Sequence, residues 1–146
     1  MLKTLVAESV LLMSTLSLVV ELVVLGLLIF GYDLKRMKKY RQHGITMTTA
    51  LALHLITIFG WMIWSFRSFL GVGSIDYGNL LVIVTLAHVA LGVIAASLGV
   101  WLVAAWHMQT DVQKCFGRKR IMLTTIALWS VAILLGIVLY IAVMLS

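Results

Sequence analysis

The chain alternates between long apolar runs and short polar breaks, and the runs have the length of membrane spans. Crossing the hydrocarbon of a bilayer takes about 20 apolar residues at about 1.5 Å of rise each. Four segments reach that length: Ser9–Gly31, Gln42–Leu70, Tyr77–Met108 and Ile121–Leu145. Polar residues collect between them, at Tyr32–Arg41, Gly71–Asp76 and Gln109–Arg120. The second and third segments exceed the minimum, so they are expected to tilt or to project past the bilayer. Connections this short favour antiparallel neighbours. The predicted fold is therefore all-α, a four-helix transmembrane bundle of up-down antiparallel topology forming one domain over residues 1–146.

Composition strengthens this reading. Of 146 residues, 63% are apolar and 11% charged, with a mean hydropathy of +1.15. A soluble domain of this size leaves too much surface facing water to hide so many apolar side chains. The run that starts near Ser9 is longer than a signal-peptide core and is expected to be a retained span. The chain has no proline and a single cysteine, Cys115, so neither a proline kink nor a disulfide or thiolate metal site is expected.

Charge sets the expected orientation. Lys35, Arg36, Lys38, Lys39 and Arg41 lie in the first connection, and Lys114, Arg118, Lys119 and Arg120 in the third. By the positive-inside rule both connections face the cytoplasm, and both termini lie on the non-cytoplasmic side of the cell membrane. Lys3 and Arg67 lie toward the other face, where Glu8 and Arg67 are expected to form a solvated pair. The net charge of +6 then speaks for a charged lipid surface and not for nucleic acid. Trp61, Trp64, Tyr77, Trp101 and Trp106 sit near span ends, as interfacial anchors do.

Ionisable groups inside spans need a reason, because burying them costs several kcal/mol unless they are paired or neutral. Glu21, His54 and His88 are deep; His43 and His107 lie near the cytoplasmic ends. All four histidines fall on the second and third spans. In a hairpin turning about the middle of Gly71–Asp76, His54 and His88 lie about 7 Å from level, and His43 and His107 about 4 to 5 Å. One register does not level both pairs.

Imidazole suits iron, and bundle cores present such ligands from facing helices. His54 and His88 are thus candidate axial ligands of a haem b, or else neutral rings hydrogen-bonded across helices. His43 and His107 are candidates for a second haem site, or ordinary interfacial histidines. His88, Gly92, Ala95 or Ala96, and Gly99 leave one stripe of the third span nearly bare. That stripe offers either room for a macrocycle or a surface for close helix packing. Glu21 and His54 share a similar depth, so the carboxylate can orient the imidazole or relay protons; the alternative is a neutral acid bonded locally. Met47, one turn after His43, is a further candidate haem ligand. No phosphate-binding glycine loop, activated nucleophile or deep carboxylate pair is present, so no enzyme acting on a soluble substrate is expected.

Several short motifs together resemble the prokaryotic membrane family called domain of unknown function 420, over most of the chain. They are Gly31-Tyr32 through His43-Gly44-Ile45-Thr46-Met47, then His88-Val89-Ala90-Leu91-Gly92, then Arg118-Lys119-Arg120 with Trp129, Gly136 and Tyr140. The resemblance implies work connected with the maturation of haem-copper respiratory oxidases. Arg118 stands where the family's last span usually opens with a histidine, and His54 lies outside the family pattern. The expectation is a b-type haem protein that carries electrons within, or helps assemble, a respiratory complex. The alternatives are a cofactor-free accessory subunit of a larger membrane complex, and a proton or metal pathway.

Overall fold

The computed structural model describes the backbone of residues 2–71, 76–107 and 118–145, and the side chains of residues 8–71, 76–106 and 118–145. Four helices run through it: α1, Leu2–Arg36; α2, Tyr40–Leu70; α3, Leu80–His107; and α4, Lys119–Leu145. All four are long and apolar enough to cross a membrane, and no strand occurs among the described residues. Met108, Lys114 and Cys115 lie outside the described residues, as do the side chains of Lys3 and His107.

The helix ends differ from the hydropathy boundaries for local reasons. The first helix does not stop at Gly31; it continues through the charged residues to Arg36, whose last turn carries Lys35 and Arg36. Cations there complement the negative end of the helix dipole. A Schellman turn then closes it: Lys39 N–H donates to Leu34 O at 3.0 Å, Lys38 N–H donates to Lys35 O at 3.0 Å, and Lys38 is left-handed at φ 60°. The third helix begins at Leu80 and not at Tyr77. Asn79 Oδ1 accepts Leu81 N–H at 3.0 Å as an N-cap, after a turn in which Asp76 Oδ1 accepts Gly78 N–H at 2.9 Å.

Within α2, residues Ile58–Met62 form a turn of π-helix. With no proline available, this wide turn is what interrupts the α ladder. Such turns concentrate at functional sites, and this one follows directly on Thr57.

α1 packs most extensively on α2, and α3 on α4; contacts between the two pairs are lighter. The core between them is Val24 and Leu28 from α1, Ala50 and Leu51 from α2, Ala95 from α3, and Trp129 and Ile133 from α4. On α1 the buried positions Glu21, Val24, Leu28, Gly31 and Leu34 recur every three or four residues, one helical stripe. On α2 the stripe runs through His43, Ala50, His54 and Thr57. Most other apolar side chains face outward, as a lipid solvent permits.

α2 and α3 run antiparallel, with glycines letting large rings in. A Cβ on Gly44 would come within 2.6 Å of the Trp106 ring, and one on Gly99 within 3.1 Å of Leu51 Cδ1. The Trp106 ring is thus wedged between α2 and α3.

Candidate functional site

Glu21 and His54 meet in the interior of the α1/α2 pair. His54 Nδ1 and Glu21 Oε1 are 2.8 Å apart, and the two residues are 3% and 6% exposed. This is the sole salt-bridge contact among the described residues. Thr57, one turn after His54, places Oγ1 2.5 Å from Glu21 Oε1 and 2.8 Å from the His54 carbonyl oxygen. Trp129 from α4 closes the site, its ring 4.9 Å from the imidazole between centroids. Three buried polar atoms here have no hydrogen-bond partner: Glu21 Oε2, His54 Nε2 and Trp129 Nε1. An unsatisfied group in an apolar interior is costly, and here three gather around one residue pair.

The proton inventory of this cluster allows two states on one heavy-atom frame. Thr57 has a single hydroxyl proton and two oxygens within reach. With Glu21 ionised, Thr57 and His54 Nδ1–H both donate to the carboxylate. With Glu21 protonated, the acid donates to Thr57 Oγ1 and Thr57 donates to the His54 carbonyl, while Nδ1–H still reaches Oε1. Neither state requires a heavy atom to move.

The other histidines are held differently. His88, half-buried on α3, has Nδ1 2.8 Å from the carbonyl oxygen of Ala132 on α4. Its ring packs against Gly136, where an added Cβ would meet its Cε1 at 2.9 Å. His43 is 5% exposed and has Nδ1 2.6 Å from the Gly31 carbonyl oxygen. A carbonyl only accepts, so in both rings Nδ1 carries the proton. Met47 Sδ sits 2.8 Å from where a Cβ on Gly31 would be, so this methionine fills a helix contact. The charged pair expected between Glu8 and Arg67 does not form; Arg67 lies over the Trp64 ring, 5.7 Å from its centroid.

The structure does not bring His54 and His88 together. The residue pairs that meet between α2 and α3, Gly44 with Trp106 and Leu51 with Gly99, both add to 150. In that register His54 lies level with Ala96 and about 12 Å along the axis from His88. α4 gives a second measure: His54 rests on Trp129 and His88 on Gly136, seven residues or about 10 Å apart. Axial ligands of one iron must be level. The bare stripe on α3 is filled at Ala95 and Gly99 by the core, including Leu51 and Trp129. In this packing His54 and His88 are therefore not level, and Leu51 and Trp129 occupy the space beside Gly99. The same register makes His43 level with His107, but the side chain of His107 is outside the described residues. No group of three or more metal-ligating side chains occurs among the described residues.

Thr57, Trp129 and Gly136 complete these contacts, and residue type alone does not single them out. Thr57 is foreshadowed only by its i+3 spacing from His54 on the buried stripe. The short motifs turn out to be contacts: Gly31 meets His43 and Met47, Gly136 meets His88, and Tyr140 Oη lies 2.9 Å from Thr15 Oγ1. Comparison with protein-family models, curated proteins and solved structures finds no match.

Proposed function

We propose that the chain is a proton-handling subunit of a larger membrane complex, working through the buried Glu21–His54 pair. The observation that carries this reading is a carboxylate and an imidazole bonded through Nδ1, with Glu21 Oε2 and His54 Nε2 both buried and unpartnered. A proton shared by the pair leaves it neutral overall whether it sits on Glu21 or on His54, which spares the membrane an isolated charge. A further proton enters at His54 Nε2 or leaves from Glu21 Oε2, and Thr57 reorients its hydroxyl to match. The charge asymmetry of the connections supports an orientation with the basic ends in the cytoplasm and the termini outside.

The test is infrared difference spectroscopy of the protein in lipid across a pH jump. A carbonyl band of a protonated carboxylic acid that changes with pH, shifts in heavy water and vanishes in Glu21→Gln supports the proposal. A spectrum unchanged by Glu21→Gln overturns it.

A second reading has its own support. His43, His54 and His88 each use Nδ1 toward an oxygen, the arrangement that orients a ring to bind a metal through Nε2. A b-type haem bound by one of these rings, with its other ligand from elsewhere, serves electron transport or the assembly of a respiratory complex. Purified protein expressed with ample haem then shows a reduced-minus-oxidised haem spectrum that is lost on substituting that histidine. The absence of such a spectrum removes this reading and leaves the first untouched. A purely structural subunit, by contrast, keeps full activity of its complex in Glu21→Gln.

A further inference from the structure

At the end of the bundle that gathers the basic residues, a cleft of about 290 Å³ opens between the end of α1 and the starts of α2 and α4. Lys35, Arg36, Lys38 and Lys119 line it, and none of its lining residues is a carboxylate. Arg36, Lys38 and Lys119 form no salt bridge with any described residue. The N-terminal ends of α2 and α4, with their unsatisfied N–H groups, begin here as well, at Tyr40 and Lys119. The field in the cleft is therefore strongly positive, from charges on three separate elements.

The rest of the wall is two apolar side chains and two tyrosine rings, with His43 as its one imidazole. Met122 and Leu123 of α4 and the ring of Tyr32 line the cleft, and beyond them the same helices continue as lipid-facing spans. A cationic mouth above an apolar wall matches a phosphate ester that carries acyl chains. A free phosphate gains nothing from Met122 and Leu123. Lys38 adds a further sign: its left-handed backbone is a place where glycine costs less, and the chain keeps a lysine there.

We propose that this cleft binds the headgroup of an anionic phospholipid, its phosphate held by Arg36, Lys38 and Lys119 and its acyl chains lying along α4. The site is distinct from the Glu21–His54 pair and does not rest on the function proposed for it.

The test is native mass spectrometry of the full chain in mild detergent, titrated with phosphatidylglycerol, phosphatidylcholine or inorganic phosphate. Selective retention of phosphatidylglycerol is expected, undisturbed by millimolar phosphate. Arg36→Gln with Lys119→Gln should weaken it on the order of 10- to 30-fold, from the contribution of two interfacial cations. Lys39→Gln with Arg41→Gln removes the same charge outside the cleft lining and should change it less than about threefold. Should the first double variant fail to fold, Lys119→Gln alone is read against Lys39→Gln, with about fivefold weakening expected. Equal binding of the two lipids, equal weakening by variants inside and outside the cleft, or displacement by phosphate overturns the proposal.

Discussion

The two tight helix pairs each set a histidine against the neighbouring helix, and they differ in what accepts its proton. In the α1/α2 pair, His54 faces the carboxylate of Glu21. In the α3/α4 pair, His88 faces the backbone carbonyl of Ala132, inside a continuous helix. A carbonyl fixes the tautomer and orients the ring but does not take up the proton. A carboxylate is itself able to hold a proton, and this one stands beside unpartnered buried atoms. Two histidines of similar apparent depth thus have different surroundings: His88 bonds a backbone carbonyl of the next helix, and His54 bonds an ionisable side chain.

The largest effect should come from removing the acceptor in the first pair. Glu21→Ala strands His54 Nδ1 and Thr57 in a dry cavity and should cost about 3 to 5 kcal/mol. Glu21→Gln keeps an acceptor for Nδ1 and should cost about 1 kcal/mol. Unfolding of detergent-solubilised protein separates the two; equal losses would remove the distinction between pairing and packing.

Histidine substitutions sharpen the contrast. His54→Leu leaves Glu21 with one partner and should cost about 3 kcal/mol. His88→Leu leaves Ala132 O with its own helical bond and should cost about 1 kcal/mol. The reverse order in the same unfolding assay would break the comparison.

Next comes Gly136→Ala, whose methyl group would meet His88 at 2.9 Å. It should destabilise by about 1 to 3 kcal/mol, and His88→Ala in the same chain should restore most of that. Gly92, with nothing within 4 Å of an added Cβ, is the control and should tolerate alanine.

The smallest effect lies outside both pairs. Lys38→Gly relieves the left-handed turn and should stabilise the fold by about 1 kcal/mol, while weakening anionic lipid at the cleft.

Span existence was legible because lipid demands long apolar runs, and the depth of Glu21 and His54 followed from counting residues to the span ends. Rotation about each helix axis was not legible. In a soluble bundle the polar face shows which side is out; here both sides are apolar, so nothing in the pattern of α3 says that His88 turns toward α4 and away from His54. Counting along the hairpin did show that one register does not level both histidine pairs, and the close contacts at Gly44 and Gly99 favour the interfacial one. Helix ends were misplaced where side-chain capping decided them, at Asn79, and where a lysine took a position usual for glycine, at Lys38.

Nitrogen-15 magnetic resonance of histidine-labelled protein in bilayers, followed across pH, addresses the difference between the two rings directly. The His54 nitrogens should change with pH and lose that change in Glu21→Gln, while His88 stays a neutral Nδ1–H tautomer throughout. Matching titrations of the two rings, or a His54 signal indifferent to Glu21→Gln, would contradict the account.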